Sequence, residues 1–311
     1  MPPPRAIVVV GSLNADFVVR VPRFLAPGET LLGDRFTTHP GGKGGNQACA
    51  AARLGGAVTM IGQVGADAQG TWLREELARS GADISRVGVD DSVSSGVALI
   101  ATDARGENQI VVVPGANGTF TPDRLAAALP WVRSAQVVLL QLEVPLATVE
   151  RAAEEARTAG ARVLLDPAPA HPLPDRLLRA ATLLTPNETE LALLAGDTSV
   201  TLPSIEQVDR WARVLLARGA QQVLVKLGPR GARLVTPDGA RTWPGYVVDA
   251  VDTTGAGDAF NGALAVAFAE GLDLDWAVPF ACAAGAISVT RAGAQPSMPT
   301  RDEVDRFLAT R

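Results

Sequence analysis

With 311 residues, 47% of them hydrophobic and 20% charged, the chain has the composition of a folded globular protein that can bury a sizeable core, which excludes long disordered segments. A net charge of −5 without a basic cluster argues against nucleic acid or an anionic membrane as partner, and leaves small molecules as the expected ones. No apolar segment reaches membrane-spanning length and the run Ala6 to Val10 is too short for a signal-peptide core, so one main domain over residues 1–311, in the cytoplasm, is expected.

Ala6-Ile7-Val8-Val9-Val10, closed by Gly11, is the pattern of a central strand buried on both faces of a parallel sheet. The polar stretch Ser12 to Asp16 follows its C-terminal end. Ligands collect there in open α/β sheets, so Asn14 and Asp16 are candidates for holding a polyol; equally, they suit a turn bonded to its own backbone. Short strands are predicted over 17–21 and 31–38, separated by Pro22 and Pro27-Gly28. Two more, over 97–102 and 109–113, form a second hairpin around residues 103–108. The two hairpins are expected to join in one small sheet that would suit a lid. Val18, Val97, Leu99 and Val111 would leave apolar surface on it for a second subunit, giving a homodimer.

Pro40-Gly41-Gly42-Lys43-Gly44-Gly45-Asn46-Gln47 leads into a helix predicted over 48–54. It has the look of a phosphate loop but lacks the Ser or Thr after the lysine and the glycine spacing, which rejects a Walker site; no strand opens into a dinucleotide fingerprint either. What is left is a loop whose backbone approaches a ligand closely, with Lys43 and Asn46 as donors. Cys49 and Cys282 read as small buried hydrophobes, and His39 and His171, each beside a proline, as loop residues. From Ala57 onward, strands at 58–61, 137–140, 163–165, 183–184 and 223–225 alternate with helices near 68–80, 145–159, 187–195 and 204–218. That is the rhythm of a doubly wound sheet. Polar residues again follow the strands: Glu143, Asp166, the stretch Asn187 to Glu190, and Lys226 to Gly231.

Asp252-Thr253-Thr254-Gly255-Ala256-Gly257-Asp258 runs into an apolar helix. Gly255, Ala256 and Gly257 carry little bulk at a helix N-terminus, where free N–H groups and the dipole favour an anion. Asp258 there is either a helix cap or a proton acceptor for an attacking hydroxyl.

The signatures Gly41 to Ala48 and Asp252 to Asp258, with Asn14-Ala15-Asp16 before them and Asn187-x-x-Glu190 between, resemble those of the ribokinase and phosphofructokinase-B family of sugar kinases. The resemblance covers nearly the whole chain. It implies an α/β fold, a doubly wound and mainly parallel sheet flanked by helices, with lid strands inserted at about 15–40 and 96–114. The implied reaction is ATP-dependent phosphorylation of D-ribose at its 5-hydroxyl; the alternatives are a kinase for fructose, 2-deoxyribose or a nucleoside, and a non-catalytic sugar-binding protein.

By the same resemblance Asp258 is the base and residues 255–257 form the anion hole for the γ-phosphoryl group. Asn14, Asp16, Gly42, Lys43, Asn46 and Glu143 are sugar contacts. Asn187, Lys226, Gly228, Gly231, Gly257 and Cys282 surround the nucleotide, with Lys226 and Cys282 standing where related enzymes often have other residues. Glu190 organises Mg²⁺ and phosphate through water. A monovalent cation, K⁺, would take side-chain oxygens from Asp252 and Ser297 and carbonyls from Thr254, Ser288, Arg291 and Gly293. The Gly- and Pro-broken exit 289–297 from an apolar helix suits that use, and a simple helix stop is the alternative.

Overall fold

A computed structural model describes residues 6–198 and 202–311. Strands β1 (Ala6–Val10), β4 (Ala57–Gly65), β5 (Asp83–Asp90), β8 (Val137–Leu140), β9 (Arg162–Leu165), β10 (Leu183–Leu184), β11 (Val223–Lys226), β12 (Ala232–Thr236) and β13 (Gly239–Trp243) form one sheet. Strands β2 (Asn14–Arg20), β3 (Arg35–Gly41), β6 (Gly96–Thr102) and β7 (Asn108–Val113) form a second. The large sheet runs in the order β13-β12-β11-β10-β9-β8-β1-β4-β5, parallel throughout except for β12 and β13. The doubly wound, mainly parallel architecture expected from the sequence is therefore the one observed.

The apolar run of β1 is explained by its position. Ile7 and Val9 face a core shared with helices Lys43–Arg53, Ala256–Ala269 and Leu274–Ser288, while Val8 and Val10 face the opposite core under helices Leu146–Thr158 and Ile205–Ala217. A strand covered on both sides has no solvent face to mark with polar residues. β1 is flanked by β4 on one side and β8 on the other, so the chain reverses its direction of travel across the sheet between β1 and β8. The C-terminal ends of these two strands, carrying Ser12 to Asp16 and Gln141 to Glu143, open the crevice where such folds place ligands.

Several bounds differ from the sequence reading, β2 and β4 among them, and three strands are additional to it. The glycine-rich stretch is not a loop before a helix: the helix begins at Lys43, after Gly42 at φ +81°, rather than at Ala48. Tertiary packing overrides the poor helix propensity of glycine here, because a Cβ on Gly44 would lie 2.6 Å from the Ser12 nitrogen. The strand predicted over 31–38 starts at Arg35 and continues to Gly41, and Leu31 to Asp34 form an exposed connection. Edge strand β5 and the hairpin β12–β13 were not anticipated; β5 and β13 are largely exposed and all three strands are interrupted by charged residues, which weakens the apolar signal.

The two distant hairpins do join, in the order β3-β2-β6-β7, with β2 and β6 parallel. Register sorts their side chains. Asp16 and Val18 share a face with His39, Thr37, Ala98 and Ile100, whereas Phe17, Leu99 and Val111 occupy the other. Leu99 and Val111 are exposed as expected, but Val18 lies on the Asp16 face and Val97 packs against the main core, so these two do not extend the exposed patch. Phe36, stacked on Phe17 with ring centroids 6.1 Å apart, and Val113 enlarge it instead.

Candidate active site

Asp258 occupies the third position of helix Ala256–Ala269, whose cap residue Gly255 adopts a left-handed φ of +78°. Its carboxylate does not cap the helix. Oδ2 accepts a bond from Asn46 Nδ2 at 2.9 Å and Oδ1 one from Gln47 Nε2 at 3.0 Å, so both donors come from the helix that begins at Lys43. Gln47 Nε2 also donates to Asp166 Oδ2 at 2.9 Å, and Gln141 Nε2 donates to Gln47 Oε1 at 2.6 Å, which fixes which end of the Gln47 amide faces the two carboxylates. Burial pushes the Asp258 carboxyl up to about 6, against Lys43 and the two amide bonds, with Asp166 adding to the rise. A carboxylate so placed is ionised at neutral pH yet basic enough to take a proton.

The predicted polyol contacts converge beside it. Burial pushes Asp16 up to about 7, and the charges of Glu143 and Asp258 add to that while Lys43 opposes it. Burial alone would push the Lys43 ammonium down, but Asp258, Asp166, Glu143 and Glu190 outweigh it and hold Lys43 above its usual range, so it remains a cation. Glu143 Oε2 accepts from Ser12 Oγ at 2.5 Å and from the Lys43 backbone N–H at 2.9 Å, placing a negative charge at a helix N-terminus. Gly41 and Gly42 are required by close approach: a Cβ on Gly41 would sit 2.1 Å from Asp16 Oδ2, and one on Gly42 2.8 Å from the Asn14 nitrogen.

On the far side of Asp258 lies a cleft of about 600 Å³. Asn187, Glu190, Lys226, Gly228, Gly231, Gly257 and Cys282 all line it, so every residue assigned to the nucleotide by sequence reaches one space. Asn187 and Glu190 also cap helix Glu188–Leu194 reciprocally, Asn187 Oδ1 accepting from the Glu190 N–H at 2.8 Å and Glu190 Oε2 from the Asn187 N–H at 2.7 Å. Burial raises the Glu190 carboxyl, Lys226 opposes this and Asp166 adds to it. Lys226 Nζ donates to Asp166 Oδ1 at 2.8 Å and lies against Gly257, where a Cβ would meet it at 3.1 Å. Cys282 is buried, its thiol pushed up to about 12 by desolvation, and acts as a neutral wall residue.

The segment expected to hold a cation is stitched together across the chain. Asp252 Oδ1 accepts from the Thr254 N–H at 2.9 Å and Oδ2 from the Gly293 N–H at 2.8 Å, while the N–H groups of Val251 and Asp252 both donate to the Val289 carbonyl. Burial would raise the Asp252 carboxyl, but the Thr254 side chain and the Gly293 and Thr254 N–H groups, helped by the charge of His39, hold it below the usual range. The Ser288 carbonyl accepts the Arg291 N–H at 3.2 Å, which leaves it one further lone pair for a ligand. Ser297 Oγ donates to the Ala294 carbonyl, and the Arg291 side chain pairs with Glu303. An ionised, half-buried Asp252 with no Lys or Arg bonded to it among the described residues fits a small monovalent cation.

Sequence reasoning missed the supporting residues. Ser12, Gln47, Gln141 and Asp166 hold the site from β-strand ends or from inside the glycine signature, and their placement after strands was the available signal. Asn117, which bonds Asn14 at 2.8 Å, lies in a 3₁₀ turn with no such signal. The apolar walls of the cleft, among them Tyr246, Val248, Phe260 and Val289, come from an irregular segment and from helix faces where nothing distinguishes them from core.

The family model described as "pfkB family carbohydrate kinase" matches residues 4–301. A ribokinase of Haemophilus influenzae is 40% identical over 304 residues, 98% of each chain, and a deoxyribokinase of Salmonella typhi is 35% identical over 97% of this chain and 98% of its own. The solved Arabidopsis thaliana ribokinase, complexed with ribose and ATP, superposes with a TM-score of 0.91 at 37% identity, covering 99% of both chains. The chain belongs to the pfkB family of carbohydrate kinases. It is a phosphotransferase of the sugar-kinase class.

Proposed function

We propose that this enzyme transfers the γ-phosphoryl group of ATP to the 5-hydroxyl of D-ribose, releasing ADP and D-ribose 5-phosphate. The observation that carries this reading is the position of Asp258, which lines the cleft beside Lys43, is bonded by Asn46 and is coupled by charge to Asp16. The substrate follows from the ribokinases it resembles, including the one solved with ribose and ATP. In the transfer, Asp258 takes the hydroxyl proton, the hydroxyl oxygen bonds to the γ-phosphorus, and the bond to the β–γ bridging oxygen breaks with its electrons leaving on ADP. The N–H groups of Gly255 and Gly257 and the Lys43 ammonium would meet the charge that spreads over the phosphoryl oxygens, the Ala256 N–H being donated to the Thr253 carbonyl at 3.3 Å. Mg²⁺ enters with ATP, and Glu190 would hold its water shell.

Two further parts support the same reading. Asp252 and Ser297, with carbonyls of Thr254, Ser288, Arg291 and Gly293, would hold K⁺, whose charge offsets that of Asp252 beside the anion hole. The chain works as a single unit of residues 1–311 in which the small sheet is a lid over the sugar. Its exposed face of Phe36, Leu99, Val111 and Val113 is where a second subunit would pair. Light scattering across working concentrations checks the dimer, and a strictly monomeric species removes it.

ADP release measured over D-ribose, 2-deoxyribose, fructose, other pentoses and nucleosides tests the activity. D-Ribose should give the highest kcat/KM. A higher value with 2-deoxyribose would transfer the assignment to the activity named for the Salmonella relative. A folded protein that releases ADP with no substrate in the panel would overturn the kinase reading in favour of sugar binding alone.

A further inference from the structure

Asn117 is almost wholly buried, at 1% exposure, in the 3₁₀ turn Gly115–Asn117 that leads out of the small sheet. Its amide is held from both ends by one residue of the main chain. The Leu13 N–H donates to Asn117 Oδ1 at 2.9 Å, and Asn117 Nδ2 donates to the Leu13 carbonyl at 3.0 Å. An amide can be placed in two ways that look alike in shape, but backbone polarity cannot be reversed, so Leu13 decides which end of Asn117 is the donor. The second hydrogen of Asn117 Nδ2 then goes to Asn14 Oδ1 at 2.8 Å. With its oxygen turned to Asn117, Asn14 directs its Nδ2 hydrogens away from that residue, and no protein acceptor takes them among the described residues.

Asn14 sits two residues before Asp16 on β2, so the two side chains leave the same face of the strand. One is fixed as a donor and the other offers carboxylate oxygens. Space is reserved for this arrangement: a Cβ on Gly96 would lie 2.2 Å from Asn117 Nδ2 and 2.3 Å from Asn14 Oδ1, occupying the bond itself. The turn is also anchored from below, since Gln63 Nε2 donates to the Ala116 carbonyl at 3.1 Å and to buried Asp90 at 3.0 Å.

We propose that Asn117 is a specificity-determining positioning residue: through the backbone of Leu13 it locks the Asn14 amide so that a donor, and never an acceptor, meets a hydroxyl oxygen of the sugar. This rests on the sugar-kinase reading above. Asn117 touches no reacting atom, so its effect falls on sugar binding and leaves phosphoryl transfer and ATP alone.

The test is steady-state kinetics with D-ribose on Asn117→Asp, Asn14→Ala and the double variant. A carboxylate at 117 cannot donate, so Asn14 turns its own Nδ2 toward it and presents oxygen to the sugar. The KM for ribose should rise about tenfold in Asn117→Asp, the scale of one lost hydrogen bond, with kcat and the KM for ATP within about twofold of the parent. In the Asn14→Ala background the same change should add nothing, because the amide it controls is gone. Additive effects, an unchanged ribose KM, or an equal rise in the KM for ATP would each overturn the proposal. Should Asn117→Asp fail to fold, Asn14→Asp carries the test: it keeps Asn117 clamped to Leu13 but offers the sugar only acceptors, and wild-type ribose binding there would overturn the proposal. Parent activity on ribose is the control. Its absence overturns the substrate reading, whereas an active parent whose variants keep the parental ribose KM overturns the role of Asn117 alone.

Discussion

On the polyol side of Asp258 several side chains are locked by others: Asn46 and Gln47 on Asp258, Ser12 on Glu143, Asn117 on Asn14, Gln141 on Gln47. On the nucleotide side, a cleft of about 600 Å³ is walled by glycine turns and apolar side chains, with its charged groups gathered at the junction around Lys226, Asp166 and Glu190. On the assignment proposed above, the contrast follows from what each half would read. Neighbouring hydroxyls differ only in direction, so a sugar is told apart by donors and acceptors fixed in advance, whereas a flat base is accepted by a slot and its phosphates by backbone N–H groups. Asp258 is where the two designs meet.

The largest break in this comparison should come from that meeting point. Asp258→Asn removes the proton acceptor while both amide neighbours remain, and kcat should fall by about 10² or more with sugar binding and far-ultraviolet circular dichroism retained. Near-parental turnover in a folded variant would take the base role from Asp258.

A smaller effect is expected from the support of the anion hole. Replacing K⁺ by Na⁺ at constant ionic strength should lower turnover several-fold, and Asp252→Ala should flatten the difference between the two ions. The cation would organise the segment 252–257 and take no part in bond making. Equal rates in K⁺, Na⁺ and a bulky organic cation would return Asp252 to the role its bonds to Thr254 and Gly293 already give it, that of a turn residue.

How much of this was legible in the sequence follows the same division. Gly41 to Asn46 and Gly255 to Asp258 were readable because close backbone approach demands glycine, and a carboxylate at an anion-binding helix start demands a reason. The central strand was readable from an apolar run with no polar face. Where the glycine helix begins was not, since its start at Lys43 is set by packing on Gly11 and Ser12, which local propensity does not contain. Nor were Asn117 and the cleft walls, whose roles exist only through contacts across more than a hundred residues, as in the bond from Asn117 to Leu13, or through irregular backbone around Tyr246. Val18 was misplaced because face assignment on a short strand depends on register, and a shift of one residue reverses it.

At the junction the expected effect is on pH dependence rather than on rate at the optimum. The Asp258 carboxyl stands at about 6, raised first by burial and further by Asp166, which Gln47 bridges to it. The acid limb of kcat in the parent, read at saturating sugar so that protonation of Asp16 does not enter through sugar binding, should therefore lie near pH 6, with activity lost as the base protonates below it. Asp166→Asn removes a neighbouring negative charge and frees Lys226 from its ion pair, and both changes favour ionised Asp258. The limb should move to lower pH. A limb that stays in place, or moves up, would show that Asp166 does not act on the base.

The smallest effects concern stability, and they should differ in sign between the two halves. Asp16 on the polyol side has a folded pKa of about 7 against an ordinary value of 3.8, raised first by burial and then by Glu143 and Asp258. The native state thus holds the proton more tightly than the unfolded chain, and the stability this confers is full below pH 3.8 and lost as pH rises through about 7. Asp16→Asn should raise the Tm of the sugar-free protein at pH 8 by about 2–4 °C, with the gain vanishing toward pH 4. Asp252 behaves oppositely, because although burial opposes its ionisation, the Thr254 side chain and the N–H groups of Gly293 and Thr254 hold its folded pKa below 3.8. Its carboxylate stabilises the fold above that value and loses the contribution as pH falls below it, so Asp252→Asn should lower the Tm at pH 7 and cost progressively less in acid. Thermal melts of both variants from about pH 2.5 to 8, which spans the ordinary carboxyl value of 3.8 and the raised value of about 7, measure the pair together. Curves of the same sign would mean that both halves are preorganised alike, and that the polyol side keeps its charges with no loss of stability before the sugar arrives.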